Sequence, residues 1–305
     1  MHKNIGILLA VLCLMFLNSC QKKQSFPSNS KKTIVVTTSV LGAIVKELVG
    51  DKCVVNVIIP NGLDIHEWEP SAKDTETLLN ASLIVENGLG MEGGLSKTLN
   101  QARSSKVKIF TASKYISIQK VGTLEDVHSG DPDQKHGAAD PHFMLDPEAV
   151  KEITKALANT IKGEFKIDLS SNAETLTTKL NTLNSSIQGQ IASIPERNRK
   201  LVTGHQSLGY FAKAFGCKLV GAIIPSLTSQ AEVSASELAV LKTLILQNKV
   251  KVLFTETGTP AKVAEALALE SGVQCVEINT HLLPEDGSYF TMMKNLTATI
   301  TGSLK

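Results

Sequence analysis

Aromatic side chains are scarce: they make up 4% of the 305 residues, with a single tryptophan, Trp68. Net charge is nearly absent too, at +2 near neutrality. No dense basic stripe stands beside aromatics, so nucleic-acid recognition, which draws on phosphate neutralisation and base stacking, finds no support. Five cysteines are present and none shows Cys-x-x-Cys spacing. Beyond Cys13 and Cys20 near the N-terminus, Cys53, Cys217 and Cys275 remain, an odd set that argues against a disulfide framework. One bridge between Cys217 and Cys275 is conceivable, because both fall in or beside strand-like runs; buried free thiols are the expected state. After the N-terminal segment no apolar run approaches the roughly 20 residues of a spanning helix. A His-Glu-x-x-His pair, a nucleophile elbow and a phosphate-cradling loop are all missing.

The N-terminus carries an export signal. Met1-His2-Lys3 is a short basic start, Ile5 to Leu17 is apolar, and Asn18-Ser19-Cys20 follows. Residues 1–19 are expected to be a cleaved signal peptide. The Leu17-Asn18-Ser19-Cys20 ending resembles a bacterial lipobox, which implies lipid on Cys20 and a polar tether over 20–32. Acyl chains contribute roughly 0.8 kcal/mol per buried methylene, enough in multiple copies to hold a soluble domain at a bilayer. The expected location is therefore exported, in the periplasm or on the outer cell face.

About 270 residues remain, enough for two lobes with cores of their own. Thr33–Thr38, Val54–Pro60, Leu83–Gly88 and Val107–Phe110 read as strands, with helices over Leu41–Val49 and Thr75–Ala81. Pro147–Ile161 has helical periodicity, and in 172–194 Leu176, Leu180, Leu183, Ile187 and Ile191 recur at helical spacing. A helix of about 20 residues spans about 30 Å, the length of a strut. The alternation then resumes through strands ending at Thr203, Ile224, Thr255 and Ile278 and a terminal helix over Tyr289–Leu304. The expected fold is α/β: parallel-sheet lobes over 33–171 and 195–305 joined by the 172–194 helix, with a ligand site in the cleft between them.

Four histidines, His66, His142, His205 and His281, lie far apart along the chain. Their gaps of roughly 60 to 80 residues are far too long for a zinc finger, whose ligands lie a few residues apart. His66, His205 and His281 each fall past the carboxyl end of an expected strand, and His142 in a loop before a helix. Loops at that end of a parallel sheet converge in space. Imidazole suits zinc, copper, nickel or iron better than magnesium or calcium, so the pattern points to a transition-metal site assembled from distant loops. Trp68 is expected to pack beneath the His66 loop.

These motifs carry a family resemblance. Asp64-Ile65-His66-Glu67-Trp68-Glu69-Pro70 resembles the first-ligand motif of the metal-specific solute-binding lipoproteins of bacterial ABC importers, and Asp140-Pro141-His142-Phe143-Met144-Leu145-Asp146-Pro147 resembles the second. Thr203-Gly204-His205-Gln206-Ser207-Leu208-Gly209-Tyr210-Phe211 is similar to the third, and Gly287-Ser288-Tyr289-Phe290 to the opening of the last helix. The resemblance runs from about residue 33 to the C-terminus. It implies a monomer that binds a metal ion between two lobes and passes it to a membrane permease driven by a separate ATPase.

Two departures stand out. The family's fourth ligand is commonly an aspartate; the nearest donor here is His281, with Thr280, Glu285 and Asp286 as neighbours that a shifted alignment would nominate. Glu256 is a further candidate, read as an outer partner of a ligand. The long His- and acid-rich loop of zinc-specific members is reduced to Glu125–His136, in which His128 and His136 read as parts of a solvated polar loop. Three or four imidazoles favour zinc, with Mn2+ or Fe2+ as alternatives. Zinc affinity is expected to fall as pH drops through roughly 6.5, where free imidazole takes up a proton. The opposing reading is a secreted zinc hydrolase with Glu67 or Asp140 as base. Only modest motion on release is expected, limited to the His205 and His281 loops.

Overall fold

A computed structural model describes residues 31–120 and 137–305. The expected signal peptide, Cys20, most of the expected tether, His128 and His136 lie outside the described residues. The first sheet comprises β1 (Thr33–Val36), β2 (Val54–Val57), β3 (Leu83–Glu86) and β4 (Ile109–Thr111), in the order β2-β1-β3-β4. Helices α1 (Ser39–Val49), α2 (Ala72–Leu79) and α3 (Ser96–Ser104) connect them. Then come α4 (Pro147–Phe165) and α5 (Ser170–Ala192). The second sheet contains β5 (Lys200–Thr203), β6 (Lys218–Ala222), β7 (Val252–Thr255) and β8 (Gln274–Glu277), in the order β6-β5-β7-β8. Its helices are α6 (Gly209–Phe215), α7 (Ala235–Asn248) and α8 (Ala261–Ser271), and α9 (Tyr289–Leu304) closes the chain. Every ladder between these strands is parallel.

The two sheets repeat one topology, with the lobe's first strand in second place and the third beside it. Strand connections leave in opposite directions from that central pair, which opens a crevice at the carboxyl ends of the strands. In the second lobe the pair is β5 and β7. The residues just past them, His205 and Glu256, therefore meet at the switch point.

Strand alternation decides how the lobes are held. Ile34 and Val36 enter one core and Val35 another; Leu83 and Val85 against Ile84 repeat the split, as do Val252 and Phe254 against Leu253. Successive strand side chains point to opposite faces, and both faces here are covered, so the strands read as continuous apolar runs. The inner faces of both sheets belong to a single continuous core, which also takes in α1, α4, α5, α6 and α9. Leu176, Leu180, Leu183, Ile187 and Ile191 of α5 are all buried in it. The outer faces form two smaller, separate cores. A core shared across the lobes opposes wide hinging, because opening would expose apolar area at roughly 25 cal/mol per Å2.

Local signals explain the helix starts. Asp146 caps α4 by accepting from Glu148 N–H at 2.9 Å, and Pro147 fills the first helical position, where no amide is needed. Ser71 and Asp74 close a reciprocal capping box on α2, so that helix begins three residues before the expected Thr75. Helix α3 was not expected: its sequence is polar, and only Thr98, Leu99 and Ala102 are buried, too thin a stripe for the periodicity to show. The Cys217–Cys275 bridge does not form; both are thiols, the first partly buried and the second exposed, which also corrects the expectation of burial for Cys275. Cys53 is buried. Among the described residues, no helix is long and apolar enough to cross a membrane.

Candidate metal centre

Four loops deliver the four histidines to one point. His66 stands on the loop after β2, His142 just before α4, His205 two residues past β5 and His281 past β8. One ring nitrogen from each lies within 4.8 Å of all the others. The six ring-centroid separations run only from 5.2 to 5.8 Å. Four points at nearly equal mutual distances define a tetrahedron, here with its centre about 3.4 Å from each ring centroid. A zinc ion bound at 2.0–2.1 Å from an imidazole nitrogen sits about 3.2 Å from the ring centroid, so the cage has the size and shape of a four-coordinate zinc site.

The hydrogen bonds say which nitrogens face inward. His142 Nδ1 lies 2.8 Å from Asp140 Oδ1, and His205 Nδ1 lies 2.8 Å from Glu256 Oε2. Where the carboxylate is ionised it only accepts, so the ring it faces then carries its proton on Nδ1 and presents an Nε2 lone pair. Those two Nε2 atoms face each other at 3.3 Å. Two lone pairs at that distance repel unless a proton or a cation lies between them. The Nε2 atoms of His66 and His281 are buried without any hydrogen-bond partner. Buried polar atoms are normally paired, so two orphans aimed at the same point as two opposed lone pairs fit a metal cation.

Each loop is tied down by named contacts. His66 N–H donates to Asp64 Oδ1 and His142 N–H to Asp140 Oδ1, both at 2.9 Å, so the same Asp-x-His turn shapes both N-terminal-lobe loops. Asp64 Oδ2 accepts Ser229 Oγ–H from the other lobe at 2.7 Å. Asn87 Nδ2 donates to the Pro141 carbonyl at 3.0 Å, and Gly209 is needed opposite Asp140, because a Cβ there would collide with Oδ2. Trp68 packs against the outer core of its lobe, as expected, and its carbonyl sits where Gly94 leaves no room for a side chain. Between the lobes the Asn61 amide pairs with Leu283, donating to its carbonyl and accepting from its N–H at 2.8 Å each.

Burial sets the charge states. It lowers His66 to about 4, with His205 acting in the same direction. Burial also drives His142 and His281 well below the usual histidine value. His205 is the exception: burial pushes it down, but Glu256, Asp64 and Asp140 together hold it raised. Asp140 is pushed up to about 7 by burial. The cage without metal thus has three neutral imidazoles and one that favours a proton.

Of the other sequence candidates, Glu256 partners His205, and Thr280 partners His281 through Oγ1 and Nδ1 at 2.9 Å. Asp286 turns away to accept from Ser288 N–H and Thr291 Oγ–H, and Glu285 and Glu67 are exposed. Sequence reasoning did not find Asp64, Thr280 and Ser229 in these supporting roles; the repeated Asp-x-His spacing was the available signal for Asp64.

Comparison with known proteins agrees with this geometry. The family model described as zinc-uptake complex component A, periplasmic, matches residues 34–303. The zinc-binding lipoprotein AdcA of Streptococcus pneumoniae is 28% identical over 307 residues, covering 97% of this chain; the chain spans 60% of the length of that relative. The high-affinity zinc uptake system protein ZnuA of Bacillus subtilis is 30% identical over 283 residues, 90% of this chain and 88% of that one. The manganese ABC transporter substrate-binding lipoprotein PsaA of Streptococcus mitis is 27% identical over 306 residues, 96% of each. The zinc-bound structure of an AdcAII variant of Streptococcus pneumoniae superposes with a TM-score of 0.75 at 28% identity, covering 90% of this chain and 99% of that one. The chain belongs to the family of the periplasmic component A of zinc-uptake complexes.

Proposed function

We propose that this protein captures zinc outside the cytoplasm and hands it to an ABC permease powered by a separate ATPase, with His66, His142, His205 and His281 as the four ligands. The tetrahedral spacing of the four rings carries the reading. Manganese and magnesium-like ions prefer harder oxygen donors and more of them, whereas four imidazoles match zinc in softness and number. Relatives named for zinc and for manganese are about equally similar, so donor chemistry decides here rather than likeness. Fe2+ or Mn2+ capture is the second reading within the family.

A zinc hydrolase keeps a coordination position open for water or substrate. Four converging imidazoles close it, and Asp140, the base such an enzyme would use, is committed to His142. The proposal includes export through residues 1–19, lipid on Cys20 with a tether to residue 32, and a monomeric body of two lobes, 33–171 and 195–305, joined by helix α5, which runs over Ser170–Ala192 rather than the expected 172–194. Elemental analysis of the purified full-length protein, followed by competition titration of zinc against manganese, tests it. One zinc per chain with zinc far ahead of manganese is expected. Tighter manganese binding would overturn the zinc assignment, and no stoichiometric metal would overturn capture itself.

A further inference from the structure

The two lobes hold their histidines differently, and the second lobe does it through one residue. Glu256 is buried just past β7, with its own N–H fixed by Thr259 Oγ1 at 3.0 Å. Its Oε1 accepts Ser207 Oγ–H at 2.5 Å, and its Oε2 lies 2.8 Å from His205 Nδ1. The same Oε2 is 3.5 Å from Thr280 Oγ1, which in turn is 2.9 Å from His281 Nδ1. Thr280 is buried as well.

We propose that Glu256 is the positioning residue for both histidines of the C-terminal lobe, holding His205 directly and His281 through the Thr280 hydroxyl, so that both present Nε2 to the captured ion. The inference rests on the zinc-capture reading. A hydroxyl has one proton to give and lone pairs to accept with, while an ionised carboxylate only accepts. The Thr280 proton therefore points to Glu256, and Thr280 Oγ1 is left to accept from His281 Nδ1–H. That fixes the His281 tautomer and turns its buried, unpartnered Nε2 toward the cage. Glu256 thus decides two of the four donors while remaining outside the group of converging ligand atoms.

The test uses the full chain with Glu256→Gln, Thr280→Val, Thr280→Ser and His281→Ala. Zinc affinity is measured by chelator competition, and the protonated nitrogen of each ring is read from long-range nitrogen–proton correlation spectra of the zinc-loaded protein. Thr280→Val is expected to weaken zinc by about 10- to 100-fold, the usual effect of losing a partner behind a ligand. Thr280→Ser, which keeps the hydroxyl, is expected to restore wild-type binding. Glu256→Gln should disturb the spectra of both His205 and His281, and its effect should not add to that of Thr280→Val. Thr280→Ala replaces valine if the latter fails to fold, with melting of the metal-free variants as the control. Wild-type affinity and an unchanged His281 tautomer in Thr280→Val, alongside weakened zinc in His281→Ala, would overturn the relay and leave capture intact. Unchanged affinity in His281→Ala and His205→Ala would overturn the capture reading and the relay with it.

Discussion

The histidines of the N-terminal lobe are shaped by their own sequence neighbours, those of the C-terminal lobe by one carboxylate remote in the chain, which His281 reaches through its neighbour Thr280. Asp64 and Asp140 each stand two positions before the histidine they organise and accept its backbone N–H in the same turn. His205 pairs with Glu256, just past another strand, and His281 reaches that carboxylate only through Thr280. A local device works wherever its loop goes, whereas a distant one works only if β5 and β7 sit side by side. The difference teaches that one lobe shapes its histidine turns from within the loop, while the other makes ring orientation a property of its folded sheet.

Removing a ligand tests the comparison hardest. His142→Ala and His205→Ala should each weaken zinc by more than about 100-fold, since outer partners alone account for about 10- to 100-fold. Equal losses would show that both lobes contribute fully to one site; chelator competition measures them. Next in size is the carboxylate behind the ring. Asp140→Ala should cost about 10- to 100-fold, and more than Asp64→Ala, because Asp140 Oδ1 serves both the backbone and the imidazole of its histidine. The reverse order would break the argument that ring orientation outweighs loop shape.

Acidity separates the lobes further. His66, His142 and His281 are already neutral well below 6.5, so they hold few protons to displace near neutrality. Competition falls instead to His205, which is raised, and Asp140, at about 7. Zinc affinity should thus begin to fall above the 6.5 expected from free imidazole, by about tenfold per unit for each proton displaced. Calorimetry in buffers of different ionisation enthalpy counts those protons, and a count of zero would sink the assignment. In the metal-free protein the same groups act on stability in opposite directions. Histidines lowered on folding bind protons more readily when unfolded, so their contribution is lost as pH falls from 6.5 toward the 4 of folded His66. His205, raised on folding, contributes below the unfolded value and loses that contribution as pH rises through its own. The three lowered histidines are opposed by His205 and by Asp140, whose raised carboxyl takes up its proton more readily in the folded chain, so thermal melting should change with pH less steeply than the three histidines alone would dictate. The smallest effect belongs to the exposed Asn61–Leu283 pair between the lobes. Asn61→Ala removes two exposed hydrogen bonds to Leu283, each worth about 1 kcal/mol at most, and should speed zinc release several-fold in stopped-flow chelation without altering melting.

Much of the fold was legible because its signals are periodic. The α5 stripe and the apolar β runs announced a parallel α/β protein with a strut, and capping residues such as Asp146 marked where helices begin. Helix α3 was not legible, since a helix with three buried positions owes its existence to packing rather than to pattern. The candidate donors were legible at His66 and His142, where the Asp-x-His turn writes local geometry into the sequence.

What the sequence determined alone is the candidate donor set and the loops that carry it: imidazole chemistry and turn propensity are properties of a residue and its near neighbours. Only the tertiary structure decided that the four rings form a cage of tetrahedral proportions and which nitrogen of His142 and His205 faces it. It also decided that Glu256 and Thr280 stand behind the second pair. Those depend on distances between strands and loops remote in the chain, which are fixed when both sheets bury their inner faces in one common core.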